Sequence, residues 1–217
     1  IQMGLLKILP GTRIREKARA YGLQYCQEPP YQVLSTAWLP HQDLSSLYWF
    51  GECVEAFYNN RYFDSFFRYI KQKEEGFDFF SRLLDLCLAE NFFRFAGTQE
   101  FMTRLLCRIT GESKDRELIR EILRYDWLRT GKRFLPDFLG PGDLQAAKKK
   151  MREIMPPECP PFYTRRTRND FFNLCVFLTF SAEVMAELGL KRGEEGVVGF
   201  LPEQENTVKR LHRTVSF

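Results

Sequence analysis

The sequence lacks any grouping of cysteine and histidine at the spacing of a metal site. Its two histidines, His41 and His212, are far apart, and none of its six cysteines has a second cysteine nearby. The cysteines are Cys26, Cys53, Cys87, Cys107, Cys159 and Cys175. Structural zinc needs clustered ligands, and disulfide scaffolds are typical of small secreted chains. We therefore predict no metal site in this chain, and reduced thiols that mostly lie in the core.

Long apolar runs and glycine-rich phosphate loops are also missing. No apolar stretch approaches the roughly 20 residues that a membrane-spanning helix needs, and the first residues do not have the layout of a signal peptide. Neither of the familiar glycine-rich loops that bind nucleotide phosphates occurs. The sequence therefore predicts a soluble, cytoplasmic protein without a membrane span.

Neither positive nor negative charge is in large excess. The chain has 32 basic and 28 acidic residues, a net charge of +4, which neither requires nor excludes an acidic partner. Arginines do cluster in "YTRRTRND", with Arg165, Arg166 and Arg168, and the chain closes on the basic segment "VKRLHRTVSF". Because neither stretch is predicted to form an aromatic-bearing sheet or a groove-reading helix, nucleic-acid binding is the weakest of the functions considered.

No arrangement of side chains in the sequence indicates catalysis. Asp78 and Asp85, and likewise Glu117 and Glu121, are spaced to share a helix face, but such carboxylates are usually solvated. A cysteine and a histidine would meet only if the tertiary fold brought them together. The sequence therefore names no catalytic residue.

Apolar residues make up 44% of the chain, including 21 phenylalanines that are often doubled, so the chain is expected to bury a substantial core. Those phenylalanines would suit an apolar groove and suit an ordinary core better. Periodic apolar positions predict helices over about 42–58, 63–70, 77–93, 99–109 and 114–129, the last ended by Gly131, and a polar helix after Asp143. The buried face predicted for the first of them consists of Leu44, Leu47, Tyr48, Val54, Phe57 and Tyr58. This pattern, with short connections, is typical of a helical bundle.

The last part of the chain differs in pattern. "FFNLCVFLTF" is a continuous apolar run, "SAEVMAELGL" suits a helix that begins at Ser181, and "GVVGFLP" suits a strand. We therefore predict a mainly α fold, a bundle-like domain with an N-terminal orphan strand and a small α+β appendix. The predicted parts are a strand, turn and helix at 1–22, an extended strap at 23–41, a helical domain at 42–155 and the appendix at 156–217.

The opening stretch "LLKILPGTRIREKARAYG", residues 5–22, is typical of a strand that leads through a Pro-Gly turn into a helix. A strand needs a neighbour, and the sequence offers no obvious one beside it. This pattern raises the question of whether the chain is a whole protein or the tail of a larger one. Residues 5–9 are expected to be disordered, packed on another domain, or exchanged between copies in self-association.

Three stretches carry a resemblance to a known family. "GLLKILPGT", "PPYQVLSTAWLPHQDL" and "AFYNNRYF" together resemble the C-terminal part of radical S-adenosylmethionine proteins that carry an upstream cobalamin-binding domain. The branch concerned resembles the anaerobic magnesium-protoporphyrin IX monomethyl ester cyclase. "RYDWLRTGKRFLPDFL" is similar to part of the helical C-terminal domain of unknown function in that branch.

This resemblance implies that residues 5–9 are a late barrel strand, and that Gly11 and Thr12 lie at the edge where such barrels bind cofactor. A plain turn and helix cap is the alternative for these two residues. The family's CxxxCxxC motif and cobalamin domain do not occur in this sequence. S-adenosylmethionine, a 4Fe-4S cluster and cobalamin are therefore expected in the full-length parent, with none in this chain.

The function that the resemblance implies is that of an accessory domain, on the substrate side or as a lid, of a radical S-adenosylmethionine Fe-S oxidoreductase. Its partners would be the missing cobalamin-binding and barrel domains. A tetrapyrrole or another large conjugated or lipid-like molecule is the substrate class that the analogy suggests. The alternatives are a stand-alone helical module for protein–protein interaction and, less favoured, a nucleic-acid binder.

The isolated chain is expected to be chemically inert, because a radical-type cluster needs three close thiolates. After reconstitution with iron and sulfide, it should show no stable brown chromophore and should cleave no S-adenosylmethionine. A longer chain that restores the barrel should do both. Cleavage by the isolated chain would contradict the assignment as an accessory domain.

Overall fold

The computed structural model describes residues 4–155, 167–190, 193–206 and 211–217. As the sequence predicts, the described residues are mainly helical and carry small antiparallel sheets. They divide into two units. Unit 1 comprises the residues up to Asn60 together with Phe77–Ala96, and unit 2 comprises Arg61–Gly76 together with the residues from Gly97 onward. The four-part division drawn from the sequence stays a prediction, as do the barrel and the bundle.

The regular elements are named in chain order. The helices are α1 (Arg13–Glu16), α2 (His41–Val54), α3 (Asp64–Lys73), α4 (Gly76–Ala89), α5 (Gln99–Ile109), α6 (Arg116–Arg129), α7 (Leu144–Ile154), α8 (Arg168–Leu174) and α9 (Ala182–Glu187). The strands are β1 (Gln24–Tyr25), β2 (Val33–Ser35), β3 (Val176–Phe180), β4 (Gly196–Asn206) and β5 (Leu211–Ser216). A π-helical turn, Glu55–Asn59, continues α2, and 3-10 turns lie at Phe92–Arg94 and Asp137–Leu139.

The segment predicted as an opening strand, residues 5–9, has a backbone partner within unit 1. The backbone N–H of Ile8 donates to the carbonyl of Tyr31 at 2.7 Å, and the N–H of Val33 donates to the carbonyl of Leu6 at 2.9 Å. The side chain of Ile8 is fully buried. The prediction of an orphan strand, disordered or paired only with another molecule, is therefore wrong, because the strap supplies the backbone partners. Self-association through residues 5–9 stays a prediction.

The helix predicted to run from Thr12 to Gly22 is a single turn, α1. Beyond it the chain continues in turns until β1 pairs antiparallel with β2 inside the predicted strap. Ala18 is buried, but Tyr21 is exposed and Ile14 is half-buried. An apolar face with one small buried side chain stabilises a short helix too little to extend it.

The prediction of a long helix from about 42 to 58 is confirmed by α2 and its π-helical continuation, but the predicted buried face is only partly right. Cys53, Val54 and Phe57 are buried, whereas Leu47, Tyr48 and Tyr58 are exposed. The buried positions 53 and 57 continue the row that begins at Trp49. The π-helical turn adds a residue and carries Tyr58 away from that row.

In unit 2, a buried carboxylate joins α6 to the start of α3. Asp126 is 1% exposed, and its two oxygens accept hydrogen bonds from the backbone N–H groups of Ser65, at 3.3 Å, and Phe66, at 2.9 Å. These N–H groups belong to the first turn of α3, which has no helical partners for them. Asp126 thus caps α3 from a position 60 residues away.

The C-terminal part of unit 2 is a layer of helices on a three-stranded antiparallel sheet in the order β3-β4-β5. The core between them contains Ala147, Met151, Phe171, Phe172, Cys175, Phe177, Val197 and Leu201. The predicted α+β character is confirmed for the described residues. The third strand, β5, was not predicted, because its segment was interpreted as a basic C-terminal stretch.

Several predicted helix ends are confirmed in unit 2. The side chain of Asp143 accepts from the N–H of Ala146 at 2.7 Å, and that of Ser181 accepts from the N–H of Val184 at 3.4 Å. Gly131 follows α6 with a φ of +89°, and a Cβ there would lie 2.9 Å from the Nε2 of His212. A side chain at 131 would therefore be strained by both its backbone and its neighbour.

Removing the carboxylate of Asp126 is expected to destabilise the fold. Asp126→Ala leaves two buried N–H groups without an acceptor, and should lower the free energy of unfolding by about 2–4 kcal/mol. Asp126→Asn keeps one acceptor and should cost less. Urea denaturation followed by circular dichroism measures both. Equal stability of the wild type and the alanine variant would contradict the capping role.

The same carboxylate predicts a pH dependence. Burial raises the pKa of Asp126 from 3.8 to about 7, so the folded state keeps a proton that the unfolded chain loses between about pH 4 and pH 7. Its contribution to stability is therefore greatest below about pH 4 and falls, by up to about 1.4 kcal/mol per pH unit, until pH 7 is passed. Asp126→Asn should make the decline shallower across this window. Parallel curves for the two proteins would mean that Asp126 titrates normally.

Candidate functional site

Unit 1 exposes most of the large apolar side chains that are exposed in the described residues. These exposed apolar residues of unit 1 are Leu6, Leu9, Tyr21, Leu34, Trp38, Leu39, Leu47, Tyr48, Tyr58, Phe77, Leu88 and Phe95. In unit 2 the described residues of this kind are Phe134, Ile154 and Leu174. Single exposed apolar residues are ordinary on a protein surface, whereas their concentration in one unit indicates a binding surface.

Some of these residues line a groove between α2 and α4, with a volume of about 510 Å³. We call it the α2–α4 groove. Its apolar lining consists of Leu47, Trp49, Phe50, Phe77, Leu84 and Leu88, and its polar lining of His41, Gln42, Ser45, Ser46, Ser81 and Asp85. A groove of this size and apolar character is typical of sites for an apolar ligand or an apolar segment of a partner.

The helical period explains why the two rows of side chains face each other. On α4, positions 77, 81, 84, 85 and 88 fall on one face, and on α2, positions 41, 42, 45, 46, 49 and 50 do the same. The ring of Phe77 stacks on that of Phe50, with 5.3 Å between centroids. Phe77 is nevertheless 67% exposed, because the stacking covers one side of its ring.

The polar groups of the groove do not form a catalytic arrangement within the described residues. The hydroxyls of Ser46 and Ser81 donate to the carbonyls of Gln42, at 3.0 Å, and Phe77, at 2.8 Å, in their own helices. His41 lies with its Nδ1 at 3.0 Å from the carbonyl of Leu34, an atom that can only accept a hydrogen bond. Nucleophilic catalysis needs a nucleophile within reach of a base. The groove is therefore suited to binding.

Two buried thiols lie together in the core of unit 1. Cys53 on α2 and Cys87 on α4 are both fully buried, and the neighbouring thiol together with burial raises the pKa of Cys53 far above its usual range. A thiol in this state is unreactive. Cys175 is buried as well, so the core placement predicted for the cysteines is confirmed for these three, whereas Cys26 and Cys107 are half-buried. Cys159 lies outside the described residues.

Gly11 and Thr12, assigned by resemblance to a cofactor-binding edge, form a turn. Gly11 has a φ of +76°, and the hydroxyl of Thr12 donates to the carbonyl of Leu9 at 2.7 Å. The turn of the structural alternative is therefore present, since it requires a positive φ and uses the hydroxyl. The helix cap is not, because the Thr12 side chain accepts no hydrogen bond from α1. Their role at a cofactor site stays a prediction.

Two of the four carboxylates that the sequence pairs, Glu117 and Glu121, make structural contacts. Glu121 accepts a hydrogen bond from the backbone N–H of Ser181 at 2.9 Å and so helps to cap α9, while Glu117 contacts Arg120 at 3.1 Å. Asp85 lines the α2–α4 groove, and Asp78 does not. Of the predicted basic stretch, Arg165 and Arg166 lie outside the described residues.

Within the described ranges, no helix is long and apolar enough to cross a membrane. In the same ranges, no three of the side chains that usually bind metal ions come together. Sequence reasoning missed the α2–α4 groove because it assigned Leu47 and Tyr48 to the core. The spacing of positions 77, 81, 84 and 88, which places them on one face of a helix, was the pattern from which one wall of the groove could have been predicted.

Comparison with known proteins gives a family without a known activity. A family model described as a protein of unknown function (DUF4080) matches residues 19–193. This is well over half of the chain, so the chain belongs to that family. No curated protein and no solved structure matches it.

Replacement of Phe77 is expected to weaken the binding of apolar molecules to the α2–α4 groove. With the fluorescent dye 8-anilinonaphthalene-1-sulfonate as probe, Phe77→Gln should reduce the fluorescence enhancement at least about twofold, since this ring forms part of one wall. Phe95→Gln is the matched control, because Phe95 is 65% exposed in the same unit but does not line the groove. An equal loss in both variants would show that the groove is not the binding site.

Proposed function

We propose that this member of the DUF4080 family is the C-terminal accessory domain of a radical S-adenosylmethionine enzyme of the cobalamin-binding type, and that unit 1 binds the barrel. The catalytic step, the 4Fe-4S cluster and the cobalamin would belong to the parent's other domains. This chain would cover the substrate side or act as a lid. We also expect the parent to work in the cytoplasm, where free thiols stay reduced.

The observation that carries the proposal is the concentration of exposed apolar residues in unit 1. Burying one such side chain contributes about 1.5–3 kcal/mol. A few of them at one interface would therefore stabilise the association of two domains. The backbone bridge of residues 6–8 to the strap also belongs to unit 1, and these residues lie in the segment that resembles a late barrel strand.

The chemistry of the described side chains agrees with a supporting role. The α2–α4 groove has apolar walls and helix-bonded hydroxyls, which suit the apolar part of a large substrate or a segment of the barrel domain. The resemblance of "GLLKILPGT" and the strap to radical S-adenosylmethionine proteins provides the second line of support.

A stand-alone helical module for protein–protein interaction is the alternative that the same exposed residues would also suit. The coding sequence upstream of Ile1 separates the two functions. A CxxxCxxC motif in the same reading frame would support the accessory domain. A start codon with no coding sequence before it would contradict that assignment and favour the module.

A charged residue in the unit 1 surface is expected to weaken binding to the parent's remaining domains. Leu88→Lys places an ammonium at a side chain that is 48% exposed, and Leu174→Lys, at 44% exposure in unit 2, is the matched control. With the barrel part and this chain expressed separately, Leu88→Lys should raise the Kd at least about tenfold, and Leu174→Lys should change it less than twofold. Equal effects would contradict binding through unit 1.

A further inference from the structure

The two helices that form the α2–α4 groove are acidic, although the chain as a whole has a net charge of +4. Their acidic side chains are Asp43, Glu52, Asp78 and Asp85. Their one lysine or arginine is Arg82, which lies over the ring of Phe79 and does not line the groove. None of the four carboxylates forms an ion pair with a described residue. The charge of these helices therefore favours a positively charged partner.

Asp85 brings this negative charge into the groove itself, because its exposed side chain is part of the lining. It follows Ser81 by one turn of α4, and the two side chains share a face. The hydroxyl of Ser81 donates its proton to the carbonyl of Phe77 at 2.8 Å, so only the lone pairs of this oxygen remain for a ligand. The lining residues of α4 therefore offer hydrogen-bond acceptors and no side-chain donor.

The lining residues of α2 also offer more acceptors than donors. The hydroxyl of Ser46 is donated to the carbonyl of Gln42, at 3.0 Å. The Nδ1 of His41 faces the carbonyl of Leu34, so the neutral ring keeps its Nε2 as an acceptor. Gln42 and Ser45 can both donate and accept. A group that donates several hydrogen bonds, such as an ammonium or a guanidinium, matches this lining best.

The apolar lining is long enough for a helical segment of a partner protein. Positions 77 to 88 of α4 span about 16 Å, or about three helical turns, since each residue adds about 1.5 Å. An amphipathic helix of that length can place its apolar side chains in such a groove. Lysine and arginine suit the border of its apolar face, because their aliphatic stems cover apolar surface while the charged end reaches an anion.

We propose that the α2–α4 groove binds an amphipathic helix whose apolar face is flanked by lysine or arginine, and that Asp85 pairs with one of these cations. The inference rests on the proposed binding of unit 1 to the parent's other domains, and it adds the chemistry of the segment that binds there. All residues of the groove belong to unit 1. Because an exposed ion pair contributes little affinity, Asp85 serves mainly to select the partner.

The test uses two synthetic peptides of about 14 residues as probes, with calorimetric titration of the whole chain at low salt. Both peptides carry leucine along one helical face, and the flanking positions are lysine in one peptide and glutamine in the other. The wild type should bind the lysine peptide at least about tenfold more tightly than the glutamine peptide. Added salt should remove most of this difference, since it screens exposed charges.

Asp85→Asn removes the charge of the groove and keeps the size of the side chain. It should raise the Kd for the lysine peptide about threefold to fivefold and leave the Kd for the glutamine peptide unchanged. Asp78→Asn is the matched control, because Asp78 is exposed on the same helix but does not line the groove. The control should change either Kd less than about 1.5-fold. Phe77→Gln should weaken both peptides, since it removes part of the apolar wall.

Lack of binding of the lysine peptide by the wild type, or equal weakening by Asp85→Asn and Asp78→Asn, would overturn the proposal. Binding of an alkylamine without binding of either peptide would overturn it in favour of a small cationic ligand. Self-association that Asp85→Asn abolishes, without peptide binding, would overturn it in favour of a second copy of the chain. Equal affinity for the two peptides would also overturn it, and the accessory role would stand if Leu88→Lys still weakened binding to the barrel part.

Discussion

The constraint on which the rest of the account depends is that unit 1 carries more large apolar side chains than its own elements cover. Cys53 on α2, Phe57 in the π-helical turn after it, and Leu83 and Cys87 on α4 are fully buried. Other apolar side chains of these two helices, Leu47, Tyr48, Phe77 and Leu88, stay in contact with water. Their exposure carries a free-energy cost of about 1.5–3 kcal/mol for each side chain compared with full burial. Burial against another domain would remove that cost, and this is the physical basis of the proposed accessory role.

Unit 2 shows the opposite balance, because its apolar side chains are largely covered by its own elements. Phe171, Phe172 and Phe177 lie in the core between α7, α8 and the sheet, and Asp126 ties α6 to α3. The two units thus differ in how far their own elements cover their apolar side chains.

The sequence predicted features that depend on short-range spacing. The apolar period located α5 and α6 closely, and the residue types at Asp143 and Ser181 indicated their caps. Features that depend on distant partners could not be read from spacing. The strap supplies the partner of residues 6–8, and the cap of α3 comes from Asp126. The α2–α4 groove was missed for the same reason, since each helix alone shows only one wall.

Hydroxyl-radical footprinting of the full-length parent and of the isolated chain tests most directly whether unit 1 is covered in the parent. The rate of oxidation of a side chain follows its contact with water, and Phe77 and Trp38 are well exposed in this chain, as is Phe134 in unit 2. If unit 1 binds the barrel, Phe77 and Trp38 should be protected at least about fivefold in the parent, while Phe134 should react equally in both. Equal oxidation of Phe77 and Trp38 in the parent and in the isolated chain would contradict the account.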